Sequence, residues 1–137
     1  MKKEFLLGQS NEVIKAGRVY DLHNLYDFVG IMLTRKSRQL RVLFKPSSAF
    51  NGNEVPISFV FDDIDYLEFS LDFSSPAIHN LDEMGYKNPN DYDDDWLLDE
   101  LQSTLDDHFF IRLESNDFIR VHCQHADIIE YVKFASV

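Results

Sequence analysis

Cysteine is all but absent. The 137-residue chain carries Cys123 alone, which excludes an intrachain disulfide. A thiol set in an alternating run reads as a small buried hydrophobe in a reducing, cytosolic compartment. Glycine and proline are scarce, at five and four, and no phosphate loop, nucleophile elbow or dinucleotide fingerprint occurs, so those enzyme classes have no positive support. No apolar run approaches the ~20 residues that cross a bilayer. The run Phe5-Leu6-Leu7, preceded by Glu4, is too short for an export signal, and a soluble protein without membrane contact is expected. Basic residues are outnumbered: 13 Lys and Arg against 24 Asp and Glu give a formal net charge of −11. That balance works against binding to nucleic acid or anionic lipid and favours a basic partner.

Aromatic residues are plentiful. Twelve Phe and six Tyr in a chain that is 45% hydrophobic offer enough apolar surface to offset the ordering entropy of one domain, residues 1–137. Phe, Tyr, Val and Ile suit a pleated, half-buried surface, so the expected class is mainly β.

Residues 57–73 and 119–134 follow one plan, about 60 residues apart. Ile57, Phe59 and Phe61 correspond to Ile119, Val121 and Cys123. A polar bend closed by Asp65 or Asp127 follows, and Leu67-Glu68-Phe69 matches Ile129-Glu130-Tyr131. The repeat predicts a duplicated strand-bend-strand unit, with Leu67, Phe69, Leu71, Ile119 and Val121 in one core. Residues 28–34 and 40–44 read as a hairpin about a polar turn, and 109–114 with 118–123 as another. Together these give an antiparallel sandwich or partly open barrel of about seven strands. Residues 74–90, with Pro76, Pro89 and Gly85, read as a connector. A short helical turn through Val13, Ile14 and Ala16, ended by Gly17, is the expectation near the start.

The one strong helical signal lies between the two copies. Asn90 or Asp91 can cap a short amphipathic helix over residues 91–105, with Asp93, Asp94 and Asp95 in its first turn. Leu97, Leu98, Leu101 and Leu105 would form the stripe that docks it. No Lys or Arg occurs between Asn88 and His108, so Asp91, Asp93, Asp94, Asp95, Asp99 and Glu100 create the strongest negative field on the chain. They are the candidate partner-binding residues. A calcium loop does not fit them, because Trp96 stands where the loop needs Gly and Gln102 where it needs Glu.

His122, Cys123 and His125 offer transition-metal ligand types, but residues three apart on a strand point to opposite faces, and no metal or other cofactor is expected. No paired carboxylates or nucleophile sit in a local catalytic motif, so catalytic residues are not assigned. The basic hairpin residues Arg35, Lys36, Arg38, Arg41 and Lys45 read as charges that solubilise a sheet edge.

The order Leu22-His23-Asn24-Leu25, Ile31-Met32-Leu33, Leu40-Arg41-Val42-Leu43-Phe44 and Phe59-Val60-Phe61-Asp62-Asp63-Ile64, with Leu67, resembles small all-β immunity proteins of bacterial polymorphic toxin systems. The resemblance covers residues 21–73, and the hairpin within 118–131 is in keeping. It implies a non-enzymatic cytoplasmic module that neutralises a toxin through an acidic surface, and it carries over no binding residue. Two other readings stay open: a small enzyme using dispersed acids or His122 and His125 at the mouth of the β structure, and an assembly subunit, for which an exposed apolar strand edge would speak.

Overall fold

The computed structural model describes residues 1–47, 55–70, 80–93 and 96–131. Two short strands, β1 (Lys2–Lys3) and β2 (Leu6–Leu7), lead into the hairpin of β3 (Glu12–Lys15) and β4 (Arg18–Asp21). The helical turn expected at Val13 to Ala16 is therefore a strand and its turn. Ala16 and Gly17 both take positive φ, at 50° and 78°, as a two-residue hairpin turn demands of both its central residues. Buried Val13 pairs with Tyr20 across it. One helical turn, α1 (Leu22–Leu25), follows, with the Asp21 carboxylate capping the Asn24 amide.

Six longer strands build the main sheet: β5 (Tyr26–Thr34), β6 (Gln39–Pro46), β7 (Ile57–Ser70), β8 (Leu81–Lys87), β9 (His108–Leu113) and β10 (Phe118–Glu130). Their order is β5-β6-β7-β10-β9-β8, antiparallel throughout, and β1 adds as a seventh strand, parallel to β10. The chain is mainly β, and the sheet curls into a half-barrel whose outermost strands β5 and β8 do not pair. β8 lies within the stretch read as a connector. Gly85 belongs to that strand, where a Cβ would stand 2.7 Å from the Leu97 Cβ and 2.8 Å from the Leu98 carbonyl oxygen.

The strand order exposes the repeat as larger than its sequence signature. β5-β6-β7 and β8-β9-β10 are two three-stranded meanders, joined through β7 and β10 about an approximate two-fold axis. The pair Phe61 and Ala126 maps onto the pair Cys123 and Ile64 when each residue is exchanged for its counterpart. Each copy is one long strand, not two. Inward positions slip from Phe61 to Ile64 and, at the same step, from Cys123 to Ala126. In β7 a bulge at Asp65 adds a second slip, because His122 pairs with Tyr66 and Cys123 with Ile64. Beyond it β7 has lost β6 as a neighbour, whose pairing ends at Phe61. Leu67 is accordingly only partly buried and Phe69 is exposed, whereas Ile119 and Val121 are in the core as expected. Leu71 and the segment 132–134 lie outside the described residues.

The concave face is aromatic. Phe59 is fully buried among the rings of Phe5, Phe44, Phe61 and Phe109, at centroid distances of 5.4, 6.0, 5.9 and 5.4 Å. Phe5 comes from the N-terminal arm, so the small β2-β3-β4 sheet shares this core with the main sheet.

Candidate protein-binding surface

Residues 88–107 leave β8 and return to the sheet at β9, and they hold the acidic run. They do not form the expected helix: no helical residue occurs among those described between 88 and 107. The physical reason is competition for the backbone. Aspartate and asparagine are poor helix formers because their side chains bond nearby amides. Here Asn88 accepts from the Asn90 amide and Asp91 from the Asp93 amide, at 2.9 and 2.8 Å. Among the described residues neither Asn90 nor Asp91 caps a helix; a reciprocal pair of caps stands further on, where Asp99 and Gln102 exchange side-chain bonds with each other's amides at 2.9 and 3.0 Å.

Two buried cations hold this strap down. On the outer face of the sheet Lys87 is 1% exposed and Arg120 is 3% exposed. Arg120 donates to the carbonyls of Asp91 at 2.6 Å and Asn88 at 3.1 Å, and its guanidinium lies over the rings of Tyr66 and Tyr92. Lys87 donates to the Asp93 carbonyl and, at 2.8 Å, to that of Trp96. Leu98 then makes a two-bond bridge to Tyr86 on the outer edge of β8 (3.0 and 2.8 Å). Cations on a strand are expected at the surface. These two are buried because the strap's own carbonyls replace water around them.

The strap therefore turns its backbone inward and most of its side chains outward. Asp93 and Asp99 are exposed, and Asp91 is half-buried with its carboxylate 3.8 Å from Lys87. Asp94 and Asp95 lie outside the described residues. Glu100 departs from the expectation of a free carboxylate. It accepts from Lys3 at 2.7 Å, the Tyr86 hydroxyl at 2.6 Å and the Leu7 amide at 2.8 Å, and so pins the N-terminal arm. Burial alone would push its carboxyl up, but these bonds outweigh burial and hold it below its usual range. Leu97 packs on Gly85 and Leu98 on the core, while the other half of the predicted stripe faces solvent: Leu101 is 94% and Leu105 73% exposed. Tyr92 and Trp96 join them at 73% and 67%.

Beneath the strap, Arg120 Nε donates to His108 Nδ1 at 2.9 Å, which leaves that nitrogen as an acceptor in a neutral ring. His108 is buried and stacked on Tyr66, with His122 5.6 Å away. Burial first, then the charges of Arg120 and His122, lower its pKa to about 4, against smaller opposing pulls from Asp65 and Asp107. The unfolded chain takes up this proton near pH 6.5 and the folded one does not, so stability should fall as pH drops from about 6.5 to about 4, by about 3 kcal/mol. Asparagine at 108 offers Arg120 an acceptor without titrating. Urea unfolding at several pH values should give a shallower slope for His108→Asn than for the wild type over that window, and equal slopes would refute the assignment.

His122 and His125 are not brought together. His122 Nδ1 lies 2.6 Å from Asp65, whereas His125 faces Glu4 at 3.2 Å, and Cys123 points into the core between them. Burial pushes the Cys123 thiol up to about 12, which makes it an inert packing group. Among the described residues no cluster of three or more His, Cys, Asp or Glu is arranged to hold a metal ion, and no helix is long and apolar enough to cross a membrane. Comparison with family models, with curated proteins and with solved structures finds no match to this chain.

Proposed function

We propose that the chain is a non-enzymatic protein-binding module whose strap, residues 88–107, docks a basic protein. The observation that carries this reading is the exposure of Trp96, Leu101, Leu105 and Tyr92 on a backbone anchored by Lys87 and Arg120. Trp and Tyr dominate binding energy at protein interfaces, and an anchored backbone reduces the ordering cost of binding. Asp91, Asp93 and Asp99 surround these groups with negative charge, which speeds encounter with a basic surface and rejects an acidic one. An immunity protein that neutralises a basic toxin in the cytoplasm fits this combination of apolar anchors, acidic rim and all-β scaffold.

The test is parallel capture from cytosol of a toxin-bearing bacterium, using wild-type and Trp96→Ala/Leu101→Ala baits. A basic protein held by the wild type should be lost from the variant, and titration should show Kd raised about 30-fold or more. Unfolding free energies of the two baits should agree within about 0.5 kcal/mol, since both side chains are exposed. Equal retention of every basic protein by both baits would reject the strap as the binding surface.

A further inference from the structure

We propose that two copies of this chain associate through the free edge of β5, in antiparallel register about a two-fold axis at Met32. The approximate symmetry of the sheet makes β5 and β8 equivalent outer strands. The edge of β8 is occupied: Leu98 pairs with Tyr86 through both backbone groups, and Asn11 Oδ1 accepts from the Met84 amide at 2.9 Å. No described residue forms a strand ladder on the outer edge of Gly30 to Thr34, and β5 exposes Val29, Met32 and Leu33. Residues 28–34 are thus an apolar sheet edge, the feature that marks an assembling chain.

The second copy is the occupant because the edge is complementary to itself. A bulge at Val29, where Phe28 pairs with Phe44 but Gly30 with Leu43, leaves Gly30 to Thr34 as the regular run available for a new ladder. A two-fold axis at Met32 places Met32 against its own mate and Ile31 opposite Leu33, so apolar meets apolar along the seam. The same operation carries the basic turn, with Arg35 and Lys36, to the other copy's Asp27. Arg35, Lys36 and Asp27 have no ion pair among the described residues. Parallel pairing would instead set the two basic turns side by side. The two basic turns lie at opposite ends of the seam, beyond one Debye length of about 8 Å. A ladder of this length belongs to the small, transient class of interfaces, so the dimer forms at high protein concentration.

Sedimentation of the wild type from about 10 to 500 μM should show a reversible monomer–dimer equilibrium. Asp27→Lys alone, and Arg35→Glu/Lys36→Glu alone, should each raise the dimer Kd about tenfold, because each sets like charges together at both ends of the seam. The combined variant, with all three changes, recreates opposite charges and should return Kd to within about threefold of the wild type. Circular dichroism should be the same for all four proteins, so a loss of dimer does not reflect unfolding. A wild type that stays monomeric throughout this range, a dimer indifferent to the single-sided variants, or a combined variant that fails to recover would each overturn the proposal.

Discussion

Phe59→Ala is expected to lower the unfolding free energy by about 3–5 kcal/mol. Phe59 is fully buried at the centre of four other rings, supplied by the N-terminal arm, β6, β7 itself and β9. Truncation removes the burial of the ring and leaves a cavity between elements that hydrogen bonds hold apart, so its walls cannot close. Domains of this kind are stable by only about 5–15 kcal/mol, and a loss of this size should shift the midpoint of thermal unfolding by roughly 10 °C or more. In urea the midpoint should fall while the slope stays constant. Phe69→Ala, one of the same residue type on the same strand but exposed, should cost less than about 1 kcal/mol. Equal costs at the two positions would refute the placement of the core.

Arg120→Ala should cost about 2–4 kcal/mol, although it removes a surface-type residue from a strand. The guanidinium satisfies the carbonyls of Asn88 and Asp91 and the Nδ1 of His108 under the strap. Without it these acceptors keep their burial and lose their donor, which costs about 1–3 kcal/mol for each group left unpaired. The loss should be local. Amide exchange should rise across residues 88–98, while the β7–β10 ladder keeps its protection. Arg120→Lys should recover only part of the stability, because one ammonium cannot reach acceptors on three sides of a planar fork. Full recovery with lysine would show that charge alone is needed and would sink this account. Arg120→Ala should also weaken the partner binding proposed for the strap, since Trp96 and Tyr92 are presented by the segment that Arg120 anchors.

The sheet was legible where side chains alternate. Ile57, Phe59 and Phe61 against Ile119, Val121 and Cys123 announced the repeat, and the two hairpins followed from their turns. Composition announced the β class. Register beyond Asp65 was not legible, because the polar bend marks an irregularity at that point without showing onto which face the following side chains emerge, and Phe69 was assigned to a core it does not enter. The hairpin at Ala16-Gly17 was hidden by a glycine that serves equally well as a helix stop and as a turn centre.

The strap misled for a different reason. Leu97, Leu98, Leu101 and Leu105 mimic the spacing of a helical stripe, yet two of them pack and two face water. Its acidic character was visible, but its anchors were not. Lys87 and Arg120 stand on outward positions of two strands, where sequence gives no means of telling a solvated cation from one roofed by carbonyls, which lie 6 and 9 residues away for Lys87 and 29 and 32 for Arg120. Glu100 shares the difficulty: nothing local distinguishes the carboxylate that binds Lys3 from its exposed neighbour Asp99.

The axis between the meanders also bears on the order of assembly. The β5–β6 and β9–β10 hairpins close on short turns at residues 35–38 and 114–117 and can form early and independently. The β7–β10 ladder joins residues roughly 50 to 70 positions apart, so its loop-closure entropy must be met before its contacts stabilise anything. Zippering of the two halves is thus the slow step. It places this chain with the millisecond-to-second folders of high contact order, and until it is complete both long strands are open edges, at which a nascent chain is most exposed to pairing with the wrong neighbour.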